Sequence, residues 1–405
     1  MTTTAKRPGQ DLAAGLLDPD LYRRDPYPLY ARLRAEAPVA WNAEHGFWAV
    51  ARHADVSAIG YDHETFCASR GILVEEIGTT YETPPTMMHT DPPAHTRYRR
   101  LVQPGFKPSV VRGLEEPVRA TAAALVDRIV PGAATDVVAV LSVPLPLQVI
   151  SEILGLPTED WARFYEWSEA VIPGATDWPQ EKRTALQTEM ITFLVELTKT
   201  RRAEPRGDVL SELGAAEIDG DQLSDAELAM FLVQLLVAGN ETTRNLLSGG
   251  LVAFAETPGT WGALREAAAA DPGALGPAVE EMLRFTTPVV SFLRTATRPA
   301  ELSGVAIAAG EPVLMLYGSA NRDEAVFGRS AARFDPTRHP NPHIAFGFGN
   351  HFCLGAALAR LEAKVVLREL LDRFDDVAVA GDVERSGSTV IAGLRRAELC
   401  FSRWR

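Results

Sequence analysis

The residues with the clearest chemical potential lie in one string near the C-terminal end: Phe346-Gly347-Phe348-Gly349-Asn350-His351-Phe352-Cys353-Leu354-Gly355. A cysteine at the start of a helix meets free backbone N–H groups and partial positive charge. Both favour the thiolate. Gly347, Gly349 and Gly355 let backbone approach something flat and bulky, and Phe346 and Phe352 supply an apolar wall. One thiolate in an apolar, glycine-lined loop suits an axial haem ligand. Zinc would require several Cys or His ligands, and only His351 lies close by. The G-x-G is no dinucleotide fingerprint, because Phe352 stands at the third glycine position and no strand–turn–helix unit surrounds it. An isolated cysteine is otherwise most often a small buried hydrophobe.

A second polar cluster interrupts the clearest helix, from about Asp225 to Ala255. Ser224-x-x-Glu227 is a capping-box start, and Pro258-Gly259 lies just past the end. At ~1.5 Å per residue this helix is roughly 45 Å long, enough to cross a domain. Its first half, with Leu228, Met230, Phe231, Leu232, Val233, Leu235 and Leu236, is apolar on nearly every face, as in a helix buried all round. A core helix accounts for that run but not for Gly239-Asn240-Glu241-Thr242-Thr243, which follows it.

The elements that must position these clusters belong to a chain of 405 residues, 46% hydrophobic and 23% charged, which is globular composition with ample material for a core. No repeat, linker or low-complexity stretch divides it, so a single domain over residues 1–405 is expected. The net charge of −13 argues against sequence-independent nucleic-acid binding. Three cysteines, Cys67, Cys353 and Cys400, make no disulfide framework and point to a reducing cytoplasm. The polar N-terminus shows no signal core, and the longest apolar stretches fall well short of the ~20 residues a membrane span needs. Coarsely, a helix is expected at 28–37, a strand at 46–52 and a long proline-containing loop at 71–94. Mostly helix follows to about Leu283. Strands are expected at 289–297, 305–308 and 312–317, a helix at 354–373, and a hairpin within 390–401.

The ten-residue string matches the haem-binding signature of the cytochrome P450 family, FGxGxHxCxG, at every fixed position. The resemblance continues in order along nearly the whole chain. Glu281-Met282-Leu283-Arg284 is similar to the family's ExxR motif. That motif alone says little, since Glu and Arg at this spacing are common on any helix. Phe334-Asp335-Pro336-Thr337-Arg338 is similar to its FxPxR element. Ala238-Gly239-Asn240-Glu241-Thr242-Thr243 resembles the oxygen-activating motif, and His95-Thr96-Arg97-Tyr98-Arg99 the helix that binds haem propionates. The resemblance implies a mainly α fold with a minor β region, a triangular prism with the long central helix over haem b.

It further implies that Cys353 ligates the iron, a thiolate ligation that favours O–O cleavage. Glu241 and Thr242 would form an acid–alcohol proton relay beside Gly239; family members often carry Asp at the position of Glu241. His95, Arg99, Arg294 and His351 would hold the propionates, and Ala238, Gly239, Phe346, Gly347 and Gly355 would border the macrocycle. Glu281, Arg284 and Arg338 would form a buried ion-pair network. Substrate contacts would come from four places: the proline loop (Ile72, Leu73, Val74, Met87, Met88), the central helix (Leu235, Ala238), the strand after ExxR (Val289, Val290, Phe292) and the C-terminal segment (Ile391, Leu394). That lining suits a sterol, terpenoid, fatty acid or polyketide, with a place in secondary metabolism; Glu75 and Glu76 could instead meet a basic substrate.

The chain has no dinucleotide fingerprint, no iron–sulfur cysteine set and no length for a flavin domain. O2 chemistry would therefore draw NAD(P)H electrons through a separate ferredoxin and ferredoxin reductase. These would be steered by Arg97, Arg100, Lys107, Arg112, Arg360 and Lys364. The expectation is a cytoplasmic, anchor-free, monomeric monooxygenase that hydroxylates or epoxidises a hydrophobic molecule. The alternatives are a peroxide-driven peroxygenase and a haem-thiolate binding protein without turnover.

Overall fold

The computed structural model describes residues 7–81, 86–156, 160–218 and 220–403. The central helix runs Asp225–Glu256. Its start follows from the cap: the Ser224 Oγ accepts from the Glu227 N–H at 3.2 Å, and the Glu227 carboxylate accepts from the Ser224 N–H at 2.8 Å. Leu228, Leu232, Leu236, Leu247 and Leu251 are fully buried. Burial of each such side chain contributes about 1.5–3 kcal/mol. Helices Pro144–Ile153, Trp161–Val171, Gln180–Ala203, Leu275–Thr286 and Ala356–Arg373 all pack on it. Where it crosses Leu275–Thr286 the backbones come close, because a Cβ on Gly250 would lie 2.2 Å from Met282 Cε.

The sheet region is smaller. Five strands lie in the order Val39–Asn42, Phe47–Val50, Pro312–Leu316, Ser291–Ala296, Phe66–Cys67, with only the second and third parallel. Side chains alternate across it. Leu293 joins the core of Leu314 and Ala49, while Arg294, opposite Val313, borders the main cavity. The strand 46–52, the helix 28–37 and the three strands after Pro288 fall within a residue or two of expectation. One element does not. The segment 390–401 is no hairpin; Leu394–Ser402 is one strand paired with Asp376–Arg385 and with Ala134–Asp136. The partner strand, half Val and Ala yet exposed along most of its length, buries only Val377 fully, so it carries no apolar face to announce it. Residues 82–85 of the proline loop lie outside the described residues.

Glu281 and Arg284 have no solvent exposure. Their carboxylate and guanidinium pair twice, each at 2.7 Å. Arg338 Nε reaches Glu281 Oε2 at 3.1 Å, and Asn341 Nδ2 and the Asp335 N–H also donate to that carboxylate. The remaining Arg284 donors bond to the carbonyls of Asn321, Ala331 and Arg333. Removing one partner of such a pair leaves an uncompensated buried charge, at a cost of about 3–5 kcal/mol. Glu281→Ala is therefore expected to lose most folded protein. Thermal unfolding should show it, and a Tm within a degree or two of wild type would contradict it.

Candidate active site

Cys353 does not begin the last helix. It precedes the helix Ala356–Arg373, with Gly355 as N-cap, and its N–H donates to Phe346 O at 2.9 Å, closing the glycine loop on itself. Gly347 and Gly349 hold φ of 65° and 57°, where a side chain is strained. A Cβ on Gly349 would also meet Gly60 O at 2.8 Å. A Cβ on Gly355 would meet nothing within 4 Å. Burial pushes the Cys353 thiol up, against the opposing pull of the Gly355 N–H, Arg99 and Arg360. In the chain alone, desolvation outweighs the pull toward thiolate that the helix end was expected to exert, and a bound haem iron would supply the charge that favours the thiolate.

The loop closes one end of a cavity of about 220 Å³. Around it stand His95, Arg99, Arg294 and His351, with no carboxylate paired to any of them among the described residues. The His95 and His351 rings lie 4.3 Å apart, and the Nε2 of each is buried without a partner. Burial first, then the neighbouring guanidiniums, hold His95 down at about 4 and His351 at about 2. Unpaired donors and cations crowded this closely are costly unless an anion joins them. A flat apolar group bearing carboxylates fits that need, and the open space at Gly355 fits its face.

Across the cavity, the central helix presents Leu235, Ala238, Gly239, Thr242 and Thr243. The Thr242 hydroxyl donates to Ala238 O at 2.7 Å. At Gly239 the groove is shallow, since a Cβ there would touch Ile150 Cδ1 at 3.5 Å. Glu241 turns away from the cavity. Its Oε1 accepts from Arg244 Nη1 at 3.1 Å and Asn240 Nδ2 at 3.2 Å, and Arg244 also binds Glu169 at 2.6 Å. Burial, with the second carboxylate of Glu169, pushes Glu241 up to about 7 against the pull of Arg244. The acid and the alcohol are adjacent in sequence but face different surroundings.

Of the substrate-facing candidates, Ile72, Met87, Met88, Leu235, Ala238, Val289 and Phe292 border this cavity. Leu73 packs with Val289 and Phe292 behind the wall, and Val74 packs in the N-terminal core. Val290, Ile391 and Leu394 border a different cavity, beside Tyr27 and Arg322. Glu76 is no contact for a basic ligand. Burial raises it, but His89 and the N–H groups of Ile72 and Leu73 outweigh that and hold it at about 2, fastening the loop. Sequence reasoning missed Phe106, Ile150, Phe231, Gln234, Phe348 and Glu362 on the cavity wall. Gln234 had a usable signal, being polar in an otherwise apolar helical run; Glu362, between Arg360 and Lys364, had none.

A family model for cytochrome P450 matches residues 274–391. A Mycobacterium tuberculosis cytochrome P450 is 40% identical over 95% of this chain and 97% of its own length. The chain belongs to the cytochrome P450 family. Linalool 8-monooxygenase of Pseudomonas putida is 36% identical, covering 94% of this chain and 97% of that protein. The solved structure of a Mycobacterium marinum cytochrome P450 in complex with pseudoionone superposes with a TM-score of 0.87 at 34% identity, covering 98% of this chain and all of that one.

This P450 is thus a haem-thiolate monooxygenase using O2 and NAD(P)H-derived electrons. Bound haem supplies dioxygen activation. Cys353 is placed to ligate it, and His95, Arg99, Arg294 and His351 to neutralise its carboxylates. We propose that Thr242, whose side chain borders the cavity, exchanges a proton with a ligand there, whereas Glu241, held by Arg244 and Asn240 away from the cavity, is not placed beside it. Thr242→Ala is expected to raise the peroxide released per NAD(P)H several-fold with a coupled substrate; unchanged coupling would remove Thr242 from the mechanism.

Glu362 faces the cavity from the last helix, fully enclosed, with Oε2 unpartnered. Burial alone pushes it up to about 8. A carboxyl raised on folding adds nothing unfavourable below its unfolded value of about 4.5. It costs stability progressively as pH rises from about 4.5 to about 8, where only the folded state keeps the proton, and by a constant amount above that. Glu362→Gln should therefore gain Tm over wild type at about pH 9 and little at about pH 4.5. A difference that does not change with pH would show that the carboxyl ionises normally.

Proposed function

We propose that this P450, as a single cytoplasmic domain spanning residues 1–405, hydroxylates or epoxidises a medium-to-large hydrophobic small molecule. The observation that carries the reading is the composition of the distal wall. Ile72, Met87, Met88, Leu235, Val289 and Phe292 enclose apolar space in front of the Thr242 hydroxyl. Such a wall orders substrates by shape and apolar area, and two adjacent methionines adapt to irregular skeletons. The relatives named for linalool and pseudoionone support a terpenoid-like skeleton over a small polar substrate.

The electron donor we infer is an acidic ferredoxin with its reductase. Lys107, Arg112 and Lys364 are exposed and form no ion pair among the described residues. The helix Pro108–Gly113 packs on the helix that follows Cys353, and Phe352 beside the cysteine is 40% exposed. Arg97 and Arg360 leave this set, because Arg97 is held by Asp221 and Glu227 and Arg360 by Glu280. Cations around an apolar patch suit transient docking of an acidic partner.

The test supplies a terpenoid and a steroid panel with NAD(P)H, a surrogate ferredoxin and its reductase, in parallel with peroxide alone. Oxygenated product from the reductase chain is expected, with little from peroxide. The reverse pattern would make the protein a peroxygenase, and no product from either would leave a binding protein. Arg112→Glu should slow reduction by the ferredoxin and flatten its salt dependence, and unchanged stopped-flow rates would move the docking face elsewhere.

A further inference from the structure

We infer that Gln234 is a specificity-determining residue that binds an uncharged oxygen function, an alcohol or a ketone, on the substrate end remote from Thr242. The inference rests on the monooxygenase reading above and narrows its substrate class. Gln234, Ala238 and Thr242 follow one another at four-residue spacing on the central helix, so they share one face, and all three border the cavity. From Gln234 to Thr242 the helix rises about 12 Å. The intervening wall is apolar, with Leu235, Ala238 and Gly239. The Gln234 carboxamide makes no hydrogen bond among the described residues, and its Oε1 is buried without a partner. The Thr242 hydroxyl, by contrast, is already committed to Ala238 O.

An amide left unpaired on an apolar wall is unfavourable unless a ligand or water completes it. The chemistry of the group selects the ligand. With Oε1 enclosed, the carboxamide offers its Nε2 donor to the cavity, which matches the oxygen of an alcohol or a ketone with one hydrogen bond. It carries no charge, and the cations of the cavity, Arg99 and Arg294, belong to the set that faces the haem carboxylates. A fatty-acid carboxylate would therefore be buried at Gln234 without a counter-charge, which is costly. The expected substrate is an elongated apolar skeleton with its oxygen near Gln234 and the oxidised carbon at the Thr242 end.

The test titrates the haem-loaded protein with farnesol, farnesene and farnesoic acid, following the haem absorbance change. Wild type should bind farnesol roughly five- to tenfold tighter than farnesene, and farnesoic acid weakest. In Gln234→Met, which keeps the side-chain length, the farnesol-to-farnesene ratio should fall to about one while farnesene binding is kept or improved. Gln234→Leu provides a second variant if the first does not load haem. A ratio unchanged by the substitution, tightest binding of the acid, or no response to any of the three would overturn the inference. A reduced carbon monoxide spectrum without the thiolate-type band would instead sink the haem-thiolate reading beneath it, so the two failures are distinguishable.

Discussion

The buried carboxylate of Glu281 is the constraint on which the cysteine loop depends. Through Arg284 it ties the helix Leu275–Thr286 to the carbonyls of Asn321, Ala331 and Arg333, and through Arg338 and Asn341 to the irregular chain that leads into Phe346. That chain has almost no regular hydrogen bonding of its own. A charged centre with every donor satisfied fixes it at one geometry, where an apolar centre of equal volume would allow several packings. Asn321 adds a further anchor, its Oδ1 accepting from the Ile344 N–H at 2.7 Å. The glycine loop is thereby delivered to the cavity with Cys353 facing in.

The cavity so formed is electrostatically incomplete without haem. Four cationic or imidazole side chains share one rim, and two of them have orphaned ring nitrogens. The same burial that lowers those histidines raises the Cys353 thiol. Apart, both effects oppose charge in a low-dielectric space. Together with an iron centre carrying two carboxylates, each becomes favourable. The protein thus holds ligands in states that haem binding, rather than folding alone, makes stable.

How much of this was legible in the sequence differs by kind of signal. The central helix was readable to within a residue because its cap is local and its apolar run long. The cysteine string and the Glu281–Arg284–Arg338 set were readable as resemblances, and their side chains do meet. The C-terminal hairpin was misplaced because its first strand, Asp376–Arg385, is mostly exposed, and its pairing is set by tertiary packing. The direction of Glu241 was not legible either. Adjacent helical residues point about 100° apart, so Thr242 has neighbours on both sides, and Thr243 borders the cavity while Glu241 does not. Only the structure shows that Glu241 turns to Arg244 and Glu169 instead. Val290, Ile391 and Leu394 failed as wall residues because the segment 391–394 and Val290 border a second cavity beside Tyr27, while Val289 borders the haem cavity.

The unpartnered polar groups of the cavity sort by chemistry into three tasks. The imidazoles and guanidiniums at the rim answer an anion. The neutral carboxamide of Gln234, deep on the apolar wall, answers an uncharged oxygen. The raised carboxyl of Glu362, on the last helix, keeps its proton near neutral pH where an exposed carboxyl would have lost it. A core of this size could have been filled with hydrocarbon at less cost. Each exception sits where a ligand or a proton must be met, and the type of group at each place matches what it would meet.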